Sequence, residues 1–240
     1  MGCEITDIDW IFFDCFNTLM DETADETGLA PMEQLPVEAG LYPDREAFHA
    51  DYINWRKRQW QHDWREIHLG DRLQNLLTQR NVQSGIGLSD SVLQTLIADM
   101  VTNFEAHYFQ LLKLPEGVVE MLDHWHGKVQ MGVVSNIHIP HVPEKWLTDF
   151  GLRPYFEFVL DSAACGWKKP GLEIYQAAWQ LAEITSTQVH RVLFIGDSLR
   201  NDVLTPIQLG MQGMYFERPG QPKVAIPDSV PVIKHWQAFR

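Results

Sequence analysis

Five short runs of mainly apolar residues, each four to six residues long and rich in β-branched and aromatic side chains, constrain this 240-residue chain more than any other feature. They are Ile8 to Phe13, Val129 to Val134, Phe156 to Leu160, Val192 to Ile195 and Gly213 to Phe216. Runs of this length and composition suit strands buried on both faces. Patterns of helical period lie between the later ones: Leu172 to Leu181, with Pro170 expected in a first turn, and Asp202 to Leu209, closed by Gly210. Buried strands alternating with helices predict a parallel α/β sheet. Ligands of such sheets bind outside the carboxyl ends of the strands, so the residue that ends each run becomes a candidate for chemistry.

One stretch breaks the alternation. From Asp21 to Leu112 there is no buried-strand run, and the periodicity is helical. Ser89 or Asp90 is expected to cap a helix with apolar positions Leu93, Leu96, Ile97, Met100, Val101, Phe104, Tyr108 and Leu111. A second helix is expected from Phe48 to Ile67, with Trp55, Trp60 and Trp64 as a packing stripe on one face. The expected organisation is an α/β core formed by residues 1–20 and 113–240, with residues 21–112 as a helical insertion after the first strand.

Composition narrows the function. A net charge of -13 argues against a broad electrostatic grip on nucleic acid or an anionic membrane. A small anionic substrate is still compatible, because a few local donors and a metal ion override the global field. The 3 cysteines, Cys3, Cys15 and Cys165, show no CxxC or finger spacing, which predicts free thiols in a reducing, cytoplasmic setting. The first seven residues are acidic rather than basic, so neither a secretory signal nor a membrane span is expected there.

Four strand ends supply polar side chains able to meet: Asp14 with Thr18, Ser135 with Asn136, the pair Lys168 and Lys169, and Asp197 with Asp202. A nucleophile, a hydroxyl donor, a cation and two carboxylates are the parts of a metal-assisted displacement on a phosphoryl group. Singly, each has an ordinary reading: Thr18 and Ser135 as turn residues, Asp202 as a helix cap, Lys168 as a solvated cation. His138 and His141 follow the second strand end within reach of a substrate, and His124 with His126 suits a helix terminus.

In order, FFDCFNTL, VVSN, GWKKP and GDSLRND resemble the four motifs of the haloacid dehalogenase superfamily, and the likeness spans nearly the whole chain. The resemblance implies a Rossmann-like parallel sheet with a helical cap of that family's first type. It implies Asp14 as the nucleophile, with Thr18 and Ser135 on the phosphoryl oxygens and Lys169 offsetting charge. Asp14, the main-chain carbonyl of Phe16, Asp197 and Asp202 would hold Mg²⁺, and Asn136 and Arg56 would bind substrate. The reaction implied is Mg²⁺-dependent hydrolysis of a small phosphorylated metabolite through an aspartyl-phosphate.

Phe16 departs from the phosphatase pattern, which carries a second aspartate there as general acid. Loss of such an acid costs roughly 10²–10⁴-fold for a poor leaving group, so acyl and aryl phosphates would suffer least. The haloacid dehalogenases themselves keep an aromatic residue at this position, and Trp55-Arg56-Lys57-Arg58-Gln59 and Tyr175 are similar to their pattern as well. They use no metal and replace the first aspartate of the fourth motif by serine, whereas Asp197 is present here. An ionised carboxylate beside Asp14 needs a cation between them, which favours the phosphohydrolase over a metal-independent 2-haloacid dehalogenase. The third alternative is a binding protein that kept the fold and lost efficient chemistry with the second acid.

Overall fold

The computed structural model describes residues 7–23, 30–59, 63–220 and 224–240. The chain divides into two compact units, Met1–Glu22 with Lys113–Arg240, and Thr23–Leu112.

In the first unit every apolar run becomes a strand. They are β1 (Trp10–Phe13), β4 (Gln130–Ser135), β5 (Phe158–Asp161), β6 (Val192–Gly196) and β7 (Gln212–Phe216). A two-residue strand, β8 (Val232–Ile233), joins the edge and was too short to stand out in the sequence. The sheet order is β5-β4-β1-β6-β7-β8 and all pairings are parallel. The chain builds outward from β1 in both directions, which makes the carboxyl end of β1 a topological switch point. Two further short strands, β2 (Asp21–Glu22) and β3 (Leu112–Lys113), pair where the chain leaves this unit and returns to it.

Side chains of β1 alternate between two packed layers, so a strand with no polar face is buried throughout. Trp10 and Phe12 join Phe158, Phe194 and Tyr175 on one side, with Phe12 edge-on to Phe158 at 5.3 Å. Phe13 packs on the other side against Phe156 and Trp236. Gly132 admits the Phe158 ring, since a Cβ there would lie 2.4 Å from it.

The second unit is helical: α1 (Ala30–Glu38), α2 (Arg45–Gln59), α3 (Leu69–Ser84) and α4 (Asp90–Gln110). Ser89 caps α4 by accepting the Val92 amide, and Leu93, Ile97, Met100 and Phe104 form its buried stripe. The helix expected from Phe48 to Ile67 ends sooner. Residues Asp63 to His68 are not helical, because side chains capture their backbone: Asp63 accepts the Arg65 amide, and Arg72 donates to the Ile67 carbonyl. Arg72 also pairs at 2.6 Å with Glu66, both side chains being buried. Trp55 is buried on α2 and Trp64 lies beyond that helix, so no stripe joins them; Trp60 and Cys3 lie outside the described residues.

Helices of the first unit are α5 (Val118–Trp125), α6 (Val142–Asp149), α7 (Ser162–Cys165), α8 (Leu172–Leu181) and α9 (Thr205–Gln208). Pro170 precedes α8 rather than sitting in its first turn, and Gly171 is the N-cap. The helix expected from Asp202 starts earlier, as a π-helical turn over Leu199–Leu204 capped by the Ser198 hydroxyl. Among the described residues no helix is long and apolar enough to cross a membrane.

Candidate active site

Register places the chemistry at one edge. Phe13 lies opposite both Val133 and Ile195, so Asp14, Ser135 and Asp197 all emerge just past paired positions of neighbouring strands. The Asp14 amide continues the ladder by donating to the Ile195 carbonyl at 2.9 Å. Beyond it the chain makes a tight turn in which the Leu19 and Met20 amides both donate to the Cys15 carbonyl. That turn brings the Thr18 hydroxyl within 3.4 Å of Asp14 Oδ2, and Thr18 is fully buried. Trp236, also fully buried, donates from its indole nitrogen to the Thr18 carbonyl at 3.2 Å.

Lys169 is the hub of the site. Its ammonium donates at 2.7 Å to Asp14 Oδ1, to Asp202 Oδ1 and to the Val134 carbonyl, which uses all three of its donors. Burial by itself would lower the Lys169 pKa, but the Asp14 and Asp202 carboxylates outweigh it and hold the group above its usual value. Asn136 fixes the Lys169 backbone: its Oδ1 accepts the Lys169 amide at 2.7 Å and its Nδ2 donates to the Lys169 carbonyl at 2.8 Å. Both ends of the amide expected to bind substrate are thus turned onto the lysine's main chain. Lys168, expected to be solvated, is buried as well.

At the end of β6, Gly196 has a specific steric role. A Cβ at this position would lie 2.4 Å from Asp202 Oδ2, so only glycine lets that carboxylate close on the strand end. Asp202 Oδ2 accepts the Ser198 amide at 2.9 Å. Burial pushes the Asp202 carboxyl up to about 6, with Lys169 opposing and Asp14 reinforcing the rise. Asp14, Asp197 and Asp202 each offer an oxygen within 4.8 Å of the others'. Two of these carboxylates, Asp14 and Asp202, share the buried Lys169 ammonium. A set of carboxylate oxygen donors gathered this closely matches a divalent cation such as Mg²⁺.

Ser135 is fully buried and its hydroxyl has no hydrogen-bond partner in this structure. Such a group is costly unless a ligand completes it. Phe16 is half-buried, its ring edge-on to the buried Trp146 at 5.8 Å, so an apolar contact stands where a second acid would be sought. Arg56 is exposed on α2 of the helical unit. His138 is half-buried and His141 exposed. Tyr175 is buried, and its hydroxyl donates to the Asn201 carbonyl at 2.5 Å, tying α8 to the turn that carries Asp202.

Sequence reasoning passed over Asp161 and Ser162. Ser162 Oγ accepts the Ile137 amide and donates to the Ile137 carbonyl, and Asp161 accepts the His141 amide, which together hold the loop after β4. The signal was present, since these two polar residues end an apolar run just as Ser135 and Asn136 do. Trp236 carried no such signal.

A parallel sheet whose strand ends bring a lysine and three aspartates together is a Rossmann-like α/β fold with a carboxylate-rich switch point. The chain belongs to the haloacid dehalogenase-like hydrolases, whose family model matches residues 8–210. The haloacid dehalogenase-like hydrolase domain-containing protein 3 of Bos taurus is 36% identical over 104 residues, 43% of this chain and 39% of that protein. The match therefore spans about two fifths of that relative's length. The pyrimidine 5'-nucleotidase YjjG of Escherichia coli (strain K12) is 28% identical over 213 residues, covering 85% of this chain and 83% of that protein. A solved 2-haloacid dehalogenase from Pseudomonas syringae pv. Tomato DC3000 superposes with a TM-score of 0.76 over 97% of this chain and 96% of that one. At 19% identity, that likeness is one of fold.

Proposed function

We propose that this hydrolase cleaves a small phosphorylated metabolite with a divalent cation, Mg²⁺, held by Asp14, Asp197, Asp202 and the main-chain carbonyl of Phe16. The observation that carries the reading is the convergence of Asp14, Asp197 and Asp202, each offering one carboxylate oxygen within 4.8 Å of the others. A bound cation supplies the charge neutralisation that lets an anionic nucleophile approach an anionic phosphoryl group.

This chain's residues do the rest. Asp14 attacks phosphorus, the bond to the leaving oxygen breaks, and that oxygen keeps the electron pair. Water then hydrolyses the aspartyl-phosphate and regenerates the carboxylate. The Thr18 and Ser135 hydroxyls donate to phosphoryl oxygens, which satisfies the buried Ser135 group. Lys169 holds Asp14 in place and offsets charge as it develops, while Asn136 positions Lys169 rather than touching substrate. Phe16 moves no proton, so leaving groups stable as anions, acyl and aryl phosphates, turn over fastest. The YjjG relative adds nucleoside 5'-monophosphates to the substrates worth testing.

The same ring at Phe16 favours a second reading, metal-independent removal of halide from a 2-haloacid. One screen separates the two. Acetyl phosphate, an aryl phosphate, nucleoside monophosphates and 2-chloropropionate are offered with Mg²⁺ and with EDTA. The expected result is phosphate release that EDTA abolishes and Mg²⁺ restores; halide release indifferent to EDTA replaces the first reading with the second.

A further inference from the structure

We infer that Arg218 is a positioning residue for the nucleophile turn, acting through Asn17 on the backbone that carries the Phe16 carbonyl and the Thr18 hydroxyl. The inference rests on the metal-dependent reading above.

Asn17 lies between the two groups that reading uses, and it adopts a left-handed backbone with φ of 61°. A small rotation there displaces the Phe16 carbonyl and Thr18 together. Main-chain bonds hold the turn from within, including the Asn17 amide to the Met20 carbonyl at 2.6 Å. The Asn17 side chain adds a second set: Oδ1 accepts the Glu22 amide at 3.3 Å and Nδ2 donates to Glu22 Oε2 at 3.2 Å. Arg218, on the loop that follows β7, donates from one guanidinium nitrogen to Asn17 Oδ1 and from the other to Asp21 Oδ1 at 2.8 Å. The guanidinium fork therefore spans the turn from Asn17 to Asp21, reaching it from about 200 residues downstream in the chain.

This is not a solvated surface pair. The Arg218 and Asp21 side chains are only 18% and 20% exposed. Arg218 also places its charge beside Glu22 and so steadies the acid that Asn17 grips. Outer partners of this kind orient the groups that touch a cation, and their loss typically lowers metal affinity without removing a ligand.

The test uses Mn²⁺ as the probe, read by electron paramagnetic resonance on the metal-free protein, beside urea unfolding without metal. Arg218→Gln removes the fork. Asn17→Gly removes the amide, while glycine accepts the positive φ without strain. Each is expected to weaken Mn²⁺ binding by roughly 10–100-fold while the urea midpoint of the metal-free protein stays near wild type. The double variant should be no worse than the weaker single one, since the two residues act as one unit. Arg218→Lys should fail to rescue, because a point charge cannot span Asn17 and Asp21. Wild-type binding retained in Arg218→Gln, or losses that add in the double variant, overturns the inference alone. Absence of Mn²⁺ binding in the wild-type chain overturns both this inference and the reading beneath it. Should Arg218→Gln unfold, Asn17→Gly decides the matter by the same two measurements.

Discussion

The role proposed for Asp14 depends on its neighbours. A lone carboxylate at a strand end is common, but this one is held by a buried ammonium at 2.7 Å and a buried hydroxyl at 3.4 Å, with two further aspartates close by. The Asp14→Asn substitution keeps the shape and deletes the proposed nucleophile. It is expected to lower kcat by roughly 10⁴-fold or more, with folding unchanged by circular dichroism. Retained turnover of the same substrate would rule out the covalent route. Phe16 is the other residue that matters at this scale, because its ring against Trp146 accounts for an apolar wall where a proton donor would serve most phosphate esters.

Among the elements, the turn from Gly196 to Leu204 does the most. It presents Asp197, closes Asp202 onto the strand end and is anchored by Tyr175 from α8. All of this depends on the missing Cβ at Gly196. Gly196→Ala should force Asp202 off the strand, costing about 1–3 kcal/mol of stability as overpacking does. The same change should abolish turnover, because Lys169 then loses one of its two carboxylates. Urea unfolding and a rate assay together check this. A fully active variant of unchanged stability would show that the turn tolerates displacement.

At the scale of the whole molecule, the proposed cation site couples metal binding to stability. Mg²⁺ at a hundred times its dissociation constant should raise unfolding free energy by about 2.7 kcal/mol. The sign of the pH effect follows from Asp202. Its carboxyl is raised to about 6, so below that pH a proton occupies the group and competes with the metal. The Mg²⁺-induced rise in Tm should therefore be full near pH 7.5 and shrink as pH falls through about 6. A Tm shift that is constant from pH 5 to 8, or absent at every pH, contradicts the cation site.

From sequence alone came the sheet, because strands buried on both faces must be apolar at every position, as β1 is. The residues that end β1, β4 and β6 were equally legible, since chain geometry forces them to the same edge once the strands are parallel. Local sequence did not carry the contacts between distant segments. The clamp of Asn136 on Lys169, the reach of Arg218 to Asn17 and the Trp236 bond to Thr18 join residues 33, 201 and 218 positions apart. No periodicity links such pairs, and only close packing of the folded core brings them within hydrogen-bond distance. The same holds for burial of Lys168, whereas the early end of α2 has a local cause, backbone capture and an ion pair between residues at most six apart that outweighed a helical pattern. Sequence determined which groups stand at the strand ends; tertiary structure decided how each is held, because holding a charge in place takes partners that the chain supplies from elsewhere.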